Sequence, residues 1–255
     1  MPGRAKIGAA KLEWGVATHI GAGHSRNQDA YCTQPPVFVV ADGIGGHADG
    51  HLASHEVVEA LLALAGRVSV DVDMLTESLA QARARIGQIK VDGARPPGST
   101  LSGVLITEGA AGPSWMVANI GDSRTYRLDS AELKQLSVDH SVVQELIDAG
   151  AVVSSARRQV PFRNLLTRAI TAEDDQPPDV SFLPVSVGDR ILACSDGVHG
   201  AMDHSTIERL LRTNRDPQSA ADELVAMAVE LDGHDDMTAV VVDAIDIAGA
   251  SLDQP

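Results

Sequence analysis

The chain has 255 residues, a formal charge of −15, 44% hydrophobic residues and only 3% aromatic residues. That content builds a sizeable aliphatic core and excludes a disordered chain. The acidic balance excludes nucleic-acid binding through a basic footprint and suits a cleft that attracts divalent cations.

Weak alternation predicts a strand over residues 14–20, and Gly21 to Asn27 reads as a loop. A short β-branched run over 37–41 predicts a buried strand that stops at Asp42. Helical spacing of Val57, Val58, Leu61, Leu62 and Leu64 predicts a helix over 52–64, with a second over 74–89. A Pro- and Gly-rich break over 92–98 follows, then strands over 100–107 and 114–120. Gly121, Asp122 and Ser123 make a tight turn into a strand over 124–128. A short helix over 141–149 stops at Gly150, and 151–165 shows no clean period. The apolar strand over 189–195 ends at Asp196 and Gly197. Helices over 207–211 and 220–231 precede a final strand over 238–245. Strands and helices cluster without strict alternation, which predicts an α+β fold of antiparallel sheets flanked by helices.

Two cysteines, Cys32 and Cys194, exclude a disulfide-dense scaffold. No run reaches the roughly 18 apolar residues of a membrane span, and the first residues carry no apolar leader core. The expected setting is cytoplasmic, with no membrane contact.

Four apolar strands carry an aspartate at one end: Asp42, Asp122, Asp196, and the pair Asp235 and Asp236. Singly, an Asp-Gly after a strand is a turn. Together, carboxylates on neighbouring strands repel unless cations sit between them. Oxygen ligands of this kind select hard cations such as Mg²⁺ or Mn²⁺. Two such ions roughly 3.5–4 Å apart can hold a water and a phosphoryl group for in-line displacement. A glycine after Asp42 leaves a backbone carbonyl open to a metal.

Six motifs occur in order: Ser25-Arg26-Asn27-Gln28-Asp29, Ala41-Asp42-Gly43-Ile44-Gly45-Gly46-His47, Gly98-Ser99-Thr100, Gly121-Asp122-Ser123-Arg124, Ser195-Asp196-Gly197 and Asp235-Asp236-Met237-Thr238. In this the chain resembles the bacterial type 2C (PPM) metal-dependent protein serine/threonine phosphatases. The resemblance implies a four-layer α-β-β-α sandwich of two antiparallel sheets flanked by helices. Residues 1–247 would form one catalytic domain, with a flap at about 151–166 and a tail at 248–255. Asp42 would bridge two Mn²⁺ or Mg²⁺ ions, with Gly43 on one and Asp196 and Asp235 on the other. Asp122 would join Asp196 at a third, weaker site, and Asp29 would act through water. The reaction implied is hydrolysis of phosphoserine and phosphothreonine by metal-activated water. The partners implied are phosphorylated proteins, including a serine/threonine kinase and its targets, acted on by a monomer.

The chain departs from the family pattern at several positions. His24 stands where the family usually has an arginine that grips the phosphate, and Arg26 is the nearby substitute. Gln28 replaces a common glutamate, and Val160 a histidine frequent before the flap proline, Pro161. Asp236 replaces a common asparagine and either adds a carboxylate near the metals or faces water. His47, His51 and His55 recur at a zinc-like spacing of four, but His47 beside the metal loop suits a proton donor to the leaving oxygen. Two further readings are a catalytically silent relative that binds phosphoproteins as a regulator and a structural Ca²⁺ protein.

Overall fold

A computed structural model describes residues 2–45, 49–90, 96–109, 112–162 and 164–248. The first part runs β1 (Gly3–Ile7), β2 (Ala10–His19), β3 (Ala30–Gln34), β4 (Val37–Ala41), β5 (Gly43–Ile44), α1 (Gly50–Leu62) and α2 (Val72–Ile86). The middle runs β6 (Gly98–Ser99), β7 (Leu101–Gly109), β8 (Gly112–Ile120), β9 (Arg124–Leu128), β10 (Leu133–Gln135) and α3 (Val142–Asp148). A 3-10 helix (Ser154–Gln159) follows, then β11 (Asp179–Pro184) and β12 (Arg190–Cys194). The chain closes with α4 (Asp196–Ala201), α5 (His204–Thr213), α6 (Pro217–Leu231) and β13 (Met237–Ile247).

Two antiparallel sheets form the centre. One has the order β1-β2-β13-β12-β9-β10 and the other β11-β8-β7-β4-β3. Strand side chains alternate between faces, so each central strand feeds two apolar layers. In β4, Phe38 and Val40 face the opposite sheet, while Val39 and Ala41 face the helices. In β13, Val240 and Val242 face inward, and Ala239 and Val241 face the other helical layer. The middle layer joins Trp14, Val16, Phe38, Ile106, Trp115 and Ile191. The outer layers seat α1 and α2 on one sheet and α5 and α6 on the other. The result is the expected four-layer α-β-β-α sandwich. Burying each such aliphatic side chain stabilises the fold by about 1.5–3 kcal/mol, and Phe38→Ala would cost about 3–5 kcal/mol.

The helices begin where the sequence supplies side-chain oxygens. Asp71, Asp203 and Asp216 accept the backbone N–H of Met74, Thr206 and Ser219. In α5 the apolar stripe Ile207, Leu210 and Leu211 has the spacing of one helix face.

Several elements differ from the sequence expectation. The strand predicted over 14–20 is β2 and begins at Ala10, and the unpredicted β1 pairs with it through a turn at Gly8. The strand β3 is hidden in sequence by the polar residues Thr33 and Gln34. The edge strand β11 is largely solvent-facing and shows no apolar alternation. The irregular stretch after α3 contains the 3-10 helix. No helix among the described residues is long and apolar enough to cross a membrane.

Candidate metal centre

Strand register brings the aspartates to one end of the sandwich. Ala30 pairs with Ala41, so Asp29 and Asp42 leave adjacent strands side by side. Cys194 pairs with both Arg124 and Ala239, so Asp122, Asp196 and the Asp235-Asp236 turn gather at the matching end of the other sheet.

Asp42 is fixed through its backbone. Its N–H donates to Thr100 Oγ1 (2.9 Å), and its carbonyl accepts Thr100 N–H (2.8 Å). Thr100 Oγ1 also bonds Ser123 Oγ (2.7 Å), tying the Asp42 strand end to the turn that carries Asp122. Asp29 is fixed across the sheets. Ser195 Oγ donates to Asp29 Oδ2 (2.7 Å) and accepts Thr238 N–H (2.9 Å). Gly43 N–H donates to Gln28 O (3.2 Å). A Cβ on Gly43 would stand 2.2 Å from the Gly50 carbonyl and 2.7 Å from the Gln28 carbonyl. This glycine is therefore demanded by the close approach of α1, in addition to any role of its carbonyl.

The electrostatics have one direction. Asp29 and Asp122 are buried, and Asp42 and Asp196 keep some solvent access though they lie deep among protein atoms. Desolvation, followed by the neighbouring carboxylates Asp29, Asp196, Asp122 and Asp235, pushes Asp42 well above the usual carboxylate range. Desolvation and then Asp196 and Asp139 do the same to Asp122. Desolvation raises Asp29 to about 7, partly offset by its bonds to Ser195 and Thr238. Desolvation and then Asp235 raise Asp196 to about 6, and a hydrogen bond with Asp42 opposes the rise. Asp29 Oδ1 and Asp196 Oδ1 are enclosed and have no hydrogen-bond partner among the described residues. Crowded anions with unsatisfied oxygens on both sheets form a donor set that fits hard divalent cations.

Asp235 is exposed, and its Oδ1 accepts Asp236 N–H (2.9 Å). Asp236 faces inward: it is 2% exposed and accepts Gly21 N–H (2.9 Å) and Gln28 N–H (2.7 Å). His24 joins the same carboxylate, and ligand-type atoms of His24, Asp235 and Asp236 lie within 4.8 Å of one another. Among the described residues this is the one such close group, so Asp42, Asp196 and Asp235 are spread more widely than around a single ion. Arg26 Nη1 turns to His51 Nε2 (2.6 Å). His51 and His55 share α1, where His55 Nδ1 donates to the His51 carbonyl (2.7 Å). His47 lies outside the described residues.

Sequence reading missed a second layer of polar residues. Asp139 is buried between two guanidiniums, Arg124 (2.8 and 2.7 Å) and Arg157 (2.8 Å). Arg157 belongs to the 3-10 helix, so this pair ties that segment to β9. Burial, then Arg124, pushes His199 down to about 3, and the neutral ring donates Nε2–H to the Asp122 carbonyl (2.9 Å). A cavity of about 650 Å³ joins these parts, from Asp122, Asp196 and Asp235 to Arg157 and Ser155. The available signals were Arg124 beside Asp122 and the Asp139-His140-Ser141 run before α3, neither of which has a telling period.

A protein-family comparison matches residues 17–232 to Protein phosphatase 2C. The chain belongs to the protein phosphatase 2C family. This phosphatase 2C chain is 32% identical over 240 residues to the serine/threonine protein phosphatase PstP of Mycobacterium tuberculosis. That alignment covers 92% of the chain and 45% of PstP, so the chain spans about half the length of that curated relative. Among solved structures it is similar to the PPM Ser-Thr phosphatase MsPP from Mycobacterium smegmatis in complex with cacodylate, with a TM-score of 0.78 and 37% identity over 90% of this chain and 97% of that one. It is also similar to the PstP catalytic domain in complex with two manganese ions, with a TM-score of 0.82 and 28% identity over 92% of this chain and 99% of that one. The phosphatase 2C fold expected from the six motifs is thus the fold observed.

Proposed function

We propose that the chain is a metal-dependent phosphatase that hydrolyses phosphoserine and phosphothreonine in proteins. The observation that carries this reading is the convergence of Asp29, Asp42, Asp122 and Asp196 from both sheets, with two enclosed carboxylate oxygens unpartnered among the described residues. Among the described residues, none of these four forms an ion pair with a basic side chain. Asp42, the Gly43 carbonyl, Asp196 and Asp235 would hold two Mn²⁺ or Mg²⁺ ions, the pair found in the PstP structure. Asp122 with Asp196 would hold a third. When bound, such ions supply Lewis acidity and water activated as a nucleophile near neutral pH.

The chain's own residues supply position. Thr100 fixes Asp42, and Ser195 fixes Asp29 behind it, where it acts through water. His24 contacts the substrate phosphate. Arg26 is the less favoured candidate because it engages His51. His47, five positions after Asp42 in the sequence, donates the proton to the leaving oxygen. Residues 151–166 act as the flap, a reading supported by Ser154, Ser155 and Arg157 lining the cavity that reaches the aspartates. The chain acts as a monomer. Its substrates are phosphorylated proteins in the cytoplasm, among them a serine/threonine kinase and its targets.

Hydrolysis of p-nitrophenyl phosphate by metal-stripped protein, with and without added Mn²⁺, tests the reading. Turnover restored by Mn²⁺ supports it. Bound Mn²⁺ without turnover favours a phosphoprotein-binding regulator instead.

A further inference from the structure

Two separate departures from the family pattern meet in one contact. His24 stands in place of an arginine and Asp236 in place of an asparagine, 212 positions apart, and His24 Nδ1 lies 2.8 Å from Asp236 Oδ2. Asp236 already accepts two backbone N–H groups, from Gly21 and Gln28. Its carboxylate is an acceptor throughout, so the ring donates from Nδ1. That bond fixes the plane of the imidazole and leaves Nε2 as its free corner. Nε2 has no hydrogen-bond partner among the described residues, and the His24 side chain is 32% exposed. The ring also stands 4.0 Å from Asp235, the exposed carboxylate assigned to a metal.

We propose that Asp236 is a positioning residue that holds the His24 ring so that Nε2 meets an oxygen of the substrate phosphate. The inference rests on the phosphatase reading and deepens it. The His24-Asp236 pair replaces a guanidinium clamp. A guanidinium aims two parallel donors by its own planar shape. An imidazole aims one, and needs a second group to set its direction. The buried, backbone-anchored carboxylate of Asp236 supplies that direction, as carboxylates behind working histidines commonly do.

The competing explanation is that the pair only ties the loop before β3 to the turn before β13. His24→Asn separates the two, because its amide nitrogen reaches the Nδ1 position and nothing reaches Nε2. We expect KM for p-nitrophenyl phosphate and the inhibition constant of inorganic phosphate to rise about tenfold, the worth of one charge-assisted hydrogen bond. We expect the thermal midpoint to stay near wild type. Unchanged phosphate inhibition in His24→Asn would overturn the proposal. A second readout needs no turnover. In ¹⁵N spectra of metal-free protein, His24 should be protonated at Nδ1. Its Nε2 resonance should move when inorganic phosphate is added to Mg²⁺-loaded protein. A bare Nδ1, or an Nε2 indifferent to phosphate, also overturns it. Wild-type protein that binds Mn²⁺ yet turns over nothing would defeat the phosphatase reading, and the ¹⁵N response to phosphate would still decide the pair.

Discussion

Asp42 and Thr100 clasp each other by reciprocal hydrogen bonds, Asp42 N–H to Thr100 Oγ1 and Thr100 N–H to the Asp42 carbonyl. The clasp fixes the strand end one residue before Gly43. Thr100→Ala removes the acceptor of the Asp42 amide and the partner of Ser123, at a cost of about 1–3 kcal/mol. Mn²⁺ affinity, read by calorimetry, should fall with it, and Thr100→Ser should restore most of both. A Thr100→Ala protein with wild-type stability and affinity would show that the clasp does not hold Asp42.

Asp42 is surrounded by Asp29, Asp196, Asp122 and Asp235. Neutralising it therefore relieves repulsion in the metal-free protein while removing a ligand. Asp42→Asn should raise metal-free stability, because it removes one of the crowded carboxylates. It should abolish the thermal shift produced by Mn²⁺ and lower turnover at least about 100-fold. Differential scanning fluorimetry with and without Mn²⁺ reads the two opposite effects in one experiment.

The raised carboxyls give the metal-free protein a pH dependence of definite sign. Asp29 near 7 and Asp196 near 6 bind protons more tightly folded than unfolded, where carboxyls titrate near 4. Their stabilising contribution is complete below about pH 4 and is lost as the pH rises through about 6 to 7. Cations bind the deprotonated form, so Mn²⁺ should add more stability at pH 8 than at pH 5.5. Thermal midpoints in chelator and in Mn²⁺ across this range test it. A larger Mn²⁺ increment at pH 5.5 would contradict it.

The centre was legible in sequence because its parts are loud: an apolar run, an aspartate, then a glycine or turn, repeated on separate strands. Periodicity also predicted α1, α2 and α6 to within a few residues, since each has a clear apolar face. What stayed hidden depends on contacts distant in sequence. Nothing local marks Thr100 as the partner of Asp42, 58 positions away, or Ser195 as the partner of Asp29, 166 positions away. The strand β11 was unreadable because an edge strand facing solvent has no need to alternate. Gly43 was read for its carbonyl, while its packing against Gly50 could appear only in three dimensions.

Asp139 shows the cost of such hidden contacts. Its carboxylate is 1% exposed and holds Arg124, which is 13% exposed, together with Arg157 of the 3-10 helix. Asp139→Ala strands these cations and should destabilise the protein by about 3–5 kcal/mol. Arg157→Ala removes only the more exposed partner and should cost less, while loosening residues 154–159 from β9. Chemical denaturation reads the first, and limited proteolysis within that segment reads the second.

The central claim is that the aspartates at the strand ends form a metal-dependent hydrolytic centre. The most direct measurement is phosphate release from a phosphothreonine peptide by chelator-treated protein as Mn²⁺ is added, run beside Asp42→Asn. The account predicts release that is absent in chelator, saturates with Mn²⁺ and is lost in Asp42→Asn. Release that persists in chelator, or survives in Asp42→Asn at the wild-type rate, would contradict it.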